Sequence, residues 1–147
     1  MNVFSAMEII SSSLTAQRTR LNIVASNLAN AQTTRTEEGG PYRRKDPVFQ
    51  SDPVQNKFEE LLGDRLAQQA HGVRVKEIVT DQNPAQMVYD PTHPDADPAG
   101  FVAYPNVNVT EEMVNMIMAS RAYDAGATAM KAIGRVGRSA LGIGGNI

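Results

Sequence analysis

The chain has no cysteine and no tryptophan, and only four tyrosines and four phenylalanines in 147 residues. Without cysteine, disulfides, thiolate zinc sites and cysteine nucleophiles are excluded outright, and the absence fits either side of a membrane. So few rings are thin provision for a large self-sufficient core, because aromatic side chains bury the most area. No apolar run is long enough to span a bilayer, so the chain is expected not to be membrane-spanning. The opening MNVFSAMEIISSS has neither a basic n-region nor an uninterrupted apolar stretch, and no cleavable secretory signal is expected. A formal net charge of -2 is too small to argue for nucleic acid or an acidic substrate. Residues 1–36 and 113–147 are mildly basic, and most carboxylates lie from Glu37 to Asp97.

Catalytic signatures are missing as well. There is no GxSxG elbow, HExxH helix or P-loop, and the terminal GIGGN follows no strand and has no lysine. Glu59-Glu60 and Glu111-Glu112 are adjacent pairs that diverge on a helix surface, so neither is an acid/base couple. The chain is read as a non-enzyme with no catalytic residue and no cofactor.

What is present sits at the two ends. Met7, Leu14, Leu21 and Leu28 share one position of a seven-residue repeat, and Val3, Ile10, Gln17, Val24 and Ala31 share its partner. With no proline or glycine in this stretch, one continuous helix is expected, ending near Asn30–Thr33. Asn27 and Asn30 lie in its last turns, where an amide can bond exposed carbonyls or a neighbouring chain. At the other end Val109, Met116, Tyr123, Met130 and Gly137 repeat, beside Met113, Ser120, Ala127, Gly134 and Leu141. Asn108 with Glu111 three residues on predicts the start of that second helix. Glu111 and Glu112 suit its positive end, and Lys131, Arg135 and Arg138 its negative end. Gly126, Gly134 and Gly137 weaken it by about 1 kcal/mol each in an exposed setting. Both helices also carry apolar or small residues off the stripe, including Ile9, Ile23, Ala25, Ile117, Ala129 and Ile133. Helices with several semi-apolar faces are buried by several neighbours.

Between the helices the pattern changes. Gly39-Gly40-Pro41 predicts a turn. Tyr42–Gln50 reads as extended and broken by Pro47, with Arg43, Arg44 and Lys45 as a solvated basic cluster. Residues 53–70 have Val54, Phe58, Leu61, Leu62, Arg65 and Leu66 at helical spacing, a candidate short helix. Residues 73–80 alternate as a strand, and AQMVYD after Asn83-Pro84 is expected to pair with them as a hairpin. Phe101–Tyr104 is a further short extended piece. Asp90, His93, Asp95 and Asp97 are the one cluster with metal-ligating chemistry, although such residues among prolines more often build Asx-turns, and no metal is assigned to them. His71, beside a glycine, reads as a capping or surface histidine.

The segments LNIVASNLANAQTTRT, PYRRKDPVF and VYDPTHPDADPAGFVAYPNVNVTEEMVNMIMASRAYDA resemble the bacterial flagellar axial proteins, and within them the proximal-rod protein C family. The Asn-Leu-Ala-Asn-Ala block is shared by axial proteins generally, whereas YDPTHPDAD…YPNVN is specific to that branch. The resemblance covers most of the chain except residues 51–70, which look like an insertion, and the last dozen residues. It implies a mainly α fold, with the terminal helices paired as a coiled-coil-like axial domain over residues 1–33 and 106–147. A small β-containing outer segment would occupy 34–105. It also implies a structural subunit that stacks helically into the periplasmic drive shaft of the flagellum. The implied partners are copies of itself, other rod proteins, the MS-ring/export-gate adaptor at the rod base and the flagellar type III export apparatus. Met7, Leu14, Leu21, Val24, Asn27, Leu28 and Asn30 are the assembly residues implied on the first helix. Met113, Met116, Ile117, Tyr123 and Met130 are those implied on the second. Two other readings stand beside it: a self-contained helical module with a metal-binding Asp/His loop, and a distal-rod or hook-type axial subunit.

Overall fold

The computed structural model describes residues 3–53 and 71–144. The candidate helix at 53–70 therefore lies outside the described residues, except for Pro53. The elements run α1 (Val3–Ala29), β1 (Lys45–Pro53), β2 (His71–Thr80), β3 (Gln86–Tyr89), β4 (Phe101–Tyr104) and α2 (Val109–Gly144). Among the described residues no helix is long and apolar enough to cross a membrane.

The helices pack side by side and antiparallel. Leu14 lies against Gly126 and Val3 against Gly137, while Arg20 donates to Asn115 Oδ1 across 3.1 Å. The stripe Val3, Met7, Ile10, Leu14, Gln17, Leu21, Val24, Leu28 is thus the side of α1 turned to α2. On α2 the matching line is Glu112, Met116, Ala119, Tyr123, Gly126, Met130, Ile133 and Gly137. Half of the predicted stripe is displaced by one residue: Met113 and Ser120 are exposed, whereas Glu112 and Ala119 are completely buried. Close approach explains the shift. A Cβ on residue 126 would come 3.0 Å from Leu14 Cδ2, so this line is filled by small residues that a search for large apolar ones passes over.

Asn108 starts α2 as its sequence predicts, its Oδ1 accepting from the backbone N–H groups of Thr110 and Glu111 at 3.0 and 3.3 Å. At the end of α1 the Ser26 carbonyl accepts from both the Asn30 N–H at 3.1 Å and Asn30 Nδ2 at 2.9 Å.

Two antiparallel ribbons complete the fold: β1 with β2, and β3 with β4. The expected hairpin of 73–80 with AQMVYD does not form. Residues Lys45–Pro53 pair with His71–Thr80 instead, with a bulge at Val48/Phe49, and Gln86–Tyr89 pair with Phe101–Tyr104. Pro47 does not break β1. In a two-stranded ribbon one edge of each strand faces outward, so a missing N–H need not remove a ladder bond. β1 offers β2 a partner nine residues long, against four from β3.

The β1–β2 ribbon lies on a second face of α1. Ser12 Oγ accepts from the Val73 N–H at 3.2 Å and donates to the Ile9 carbonyl at 2.8 Å. Glycine at 72 suits this contact, because a Cβ would stand 2.8 Å from that oxygen and force Ser12 to shift. Ser5, Ala16, Ile23 and Asn27 are buried along the same side of α1. Among the described residues the buried apolar set is small: Ala16, Ile23, Val24, Val102, Val107 and Ala119. It contains no aromatic ring, in keeping with the poor aromatic content.

Candidate assembly surfaces

Two of the largest fully buried side chains, Glu112 and Asn27, are polar, and they meet at one point. Asn27, 1% exposed, makes four hydrogen bonds. Its Nδ2 donates to the Lys45 carbonyl at 2.8 Å and to Glu112 Oε2 at 2.9 Å. Its Oδ1 accepts from the Lys45 N–H at 3.0 Å and the Tyr42 hydroxyl at 2.9 Å. The amide thereby pairs with both backbone groups of Lys45, as a neighbouring strand would. Glu112, fully buried in the first turn of α2, accepts from Arg44 Nε at 2.8 Å through its other oxygen. Arg44 also pairs with Asp46. Burial works against the Arg44 charge, but the Glu112 hydrogen bond and the charges of Asp46 and Glu112 outweigh it and hold the guanidinium above its ordinary pKa.

The local chain explains how these groups converge. Gly39 and Gly40 adopt φ of 88° and 77°, left-handed values that favour glycine, in a turn closed by Thr36 N–H to the Gly40 carbonyl at 2.9 Å. Tyr42 N–H then reaches back to the Thr33 carbonyl at 3.0 Å. The chain leaving α1 is folded onto the helix end it has just left, and this delivers Tyr42, Arg44 and Lys45 to Asn27.

Sequence reasoning placed Asn27 among the assembly residues but missed Arg44 and Glu112. The Arg43–Lys45 cluster, read as a solvated surface, is divided: Arg43 and Lys45 are exposed, while Arg44 turns inward. The available signal was that Glu112 shares its repeat position with Ala119 and Gly126, so a charge there must face the seam.

The structure separates the remaining assembly residues into two groups. Met7, Leu14, Leu21, Val24 and Leu28 of α1 and Met116, Tyr123 and Met130 of α2 lie in the subunit's own helix pair, Val24 buried and the rest half-buried. Asn30 is half-buried at the end of α1. Met113 and Ile117 are instead on the outside of α2. With Val109, Val114 and Met118, also on α2, they form a run of large apolar side chains that are each 44–56% exposed.

The Asp90–Asp97 loop is occupied with its own backbone. Asp90 Oδ1 accepts from Thr92 N–H and Oγ, Asp97 Oδ1 from the N–H groups of Ala99 and Phe101, and His93 Nδ1 from Asp95 N–H. Asp95 accepts from Thr34 Oγ1 at 2.8 Å, tying this loop to the chain after α1. Among the described residues no three His, Asp or Glu side chains are placed to share a metal. The Thr92 side-chain and backbone hydrogen bonds hold the Asp90 carboxyl below its ordinary pKa, as the Asn83 bonds do for Asp81. His71 opens β2 and is exposed.

Most of the helix pair, with Asn27 and Glu112 of its polar node, is built from the two segments that family models recognise. "Flagella basal body rod protein" matches residues 7–35, and "Flagellar basal body rod FlgEFG protein C-terminal" matches residues 99–143. These define a flagellar axial protein of the rod type. Full-length similarity narrows the class. The "Flagellar basal-body rod protein FlgC" of Borreliella burgdorferi is 42% identical over 97% of this chain and 98% of its own length. That of Bacillus subtilis is 40% identical over 98% and 99%, and that of Salmonella typhimurium 42% identical over 85% of each chain. The chain belongs to the FlgC family of flagellar basal-body rod proteins.

Proposed function

We propose that this rod protein is a helically assembling structural subunit of the proximal rod, packed there through the outer face of α2. The observation that carries this reading is the group Val109, Met113, Val114, Ile117 and Met118. These are large apolar side chains left exposed on a helix whose inner face is already filled. A surface of this kind on a small protein marks a contact with other protein. Its occupants in this reading are the axial helices of neighbouring copies and of other flagellar rod proteins.

Residues 1–33 and 106–147 form the axial unit, a coiled-coil-like pair, and residues 34–105 the outer segment. Contacts that repeat from copy to copy without closing generate an open helical polymer, as a rod requires. Torque then passes through many packed helices, and the outer ribbons limit sliding between neighbours. The subunit leaves the cytoplasm through the flagellar type III apparatus, and the first copies meet the MS-ring/export-gate adaptor at the rod base.

The test is to replace the chain by Met113→Asp/Ile117→Asp in a flagellated host deleted for its own copy. The expected result is loss of motility and absence of the variant from isolated basal bodies, with an unchanged urea midpoint for the purified subunit. Normal incorporation would overturn the reading.

A further inference from the structure

We infer that Gln17 keeps the α1–α2 seam weak at its centre, so that the helix pair of a free subunit opens and re-forms among neighbours; this rests on the assembly reading above. Gln17 occupies the repeat position held one heptad away by Ile10 and Val24. Its Oε1 is buried and makes no hydrogen bond, and it is the one such side-chain atom among the described residues. The fold satisfies buried polar groups elsewhere: Asn27 makes four bonds, and Glu112 is paired through both oxygens. The exception lies in the middle of the seam. Antiparallel register puts Gln17 between the Leu14–Gly126 contact and the Arg20–Asn115 hydrogen bond, roughly level with Tyr123.

An orphaned acceptor disfavours the closed pair, whereas leucine or methionine would fill a similar space without one. The seam is also uneven along its length. At one end stands the Asn27–Glu112–Arg44 node, and at the other Val3, 38% exposed, faces Gly137, which has no side chain to meet it. Opening therefore begins at the N-terminal end of α1, passes Gln17 with little resistance and stops at the node. The opened helices offer the Leu14 and Leu21 stripe to a neighbour while the ribbon and the first turn of α2 stay joined.

The full-length Gln17→Leu and Gln17→Met variants test this. Urea unfolding should show a folding constant raised about tenfold or more for Gln17→Leu. Amide exchange over residues 3–20 should slow by a similar factor. In the deleted host, both variants should incorporate into basal bodies less than wild type. Adding Ile23→Val, which removes one methyl group on the ribbon side of α1, should restore incorporation by offsetting the gain in stability. An unchanged folding constant for Gln17→Leu overturns the inference. So does wild-type incorporation of a stabilised variant. Failure of Ile23→Val to restore incorporation also overturns it, since Gln17 would then act through a contact of its own. None of these results touches the outer face of α2, which the Met113/Ile117 variant tests separately.

Discussion

The two sides of α2 are filled in opposite senses. Toward α1 the large side chains Met116, Tyr123 and Met130 alternate with Glu112, Ala119 and Gly126, a charge and two of the smallest residues; away from α1 it presents Met113, Val114, Ile117 and Met118 in a run. In a self-sufficient domain that outer run would be covered as well. The inner side is shaped for close approach and for one specific polar joint, and the outer side carries the apolar area that a neighbour would bury. In the assembly proposed above, such a subunit would draw geometry from its interior and part of its final stability from its neighbours.

Substitutions on the two sides should therefore separate, with the largest loss of subunit stability on the inside. Glu112→Ala leaves Arg44 and the Asn27 amide without their buried partner, and urea unfolding should register a loss on the order of 3 kcal/mol. Gly126→Leu comes next. Its side chain must enter space held by Leu14, at an expected cost of about 1–3 kcal/mol. On the outer side, Met118→Ser should change subunit stability by no more than about 0.5 kcal/mol while reducing incorporation into basal bodies, which would sharpen the contrast. A stability loss comparable to that of Glu112→Ala would erase it.

The smallest effect concerns pH. The carboxyls of Asp90 and Asp81 have folded pKa values below their ordinary 3.8, so their contribution is fully present above that value. It is lost as pH falls through the depressed folded value. Asp90→Asn should slightly flatten the fall in stability measured by urea titration between about pH 5 and pH 2. An unaltered slope would show that the Asp90 turn does not contribute.

Local patterns were legible in the sequence and distant pairings were not. The α1 stripe could be read because Leu14, Leu21 and Leu28 recur at fixed spacing. The start of α2 could be read because Asn108 precedes an acidic turn. Half of the inner line of α2, Met116, Tyr123, Met130 and Gly137, is legible in the repeat. The other half is shifted by one position because Met113 is a more obvious apolar signal than Ala119 or Gly126. The strand segments were found, but their partners were not, since nothing near residues 71–80 says that 45–53 will arrive there. The same limit hid the Arg44–Glu112 pair, whose members lie 68 residues apart and each resemble ordinary surface charge. Apolar residues off the stripe, such as Ile117, already pointed to more than one covered face, and the family resemblance named the kind of neighbour that the proposed assembly would place there.

The far end of the β1–β2 ribbon has a consequence for how this chain tolerates change in length. Pro53 and His71 are direct register partners and form a closed gate at that end. That gate stands at the opposite end of the ribbon from the Lys45–Thr80 pair, where Lys45 meets Asn27. It is also one residue from Gly72, where a Cβ would stand 2.8 Å from Ser12 Oγ of α1. A change in chain length between 53 and 71 that keeps Pro53 opposite His71 leaves that contact in place. One that slips the pair by a residue puts a side chain against the helix where Gly72 now stands.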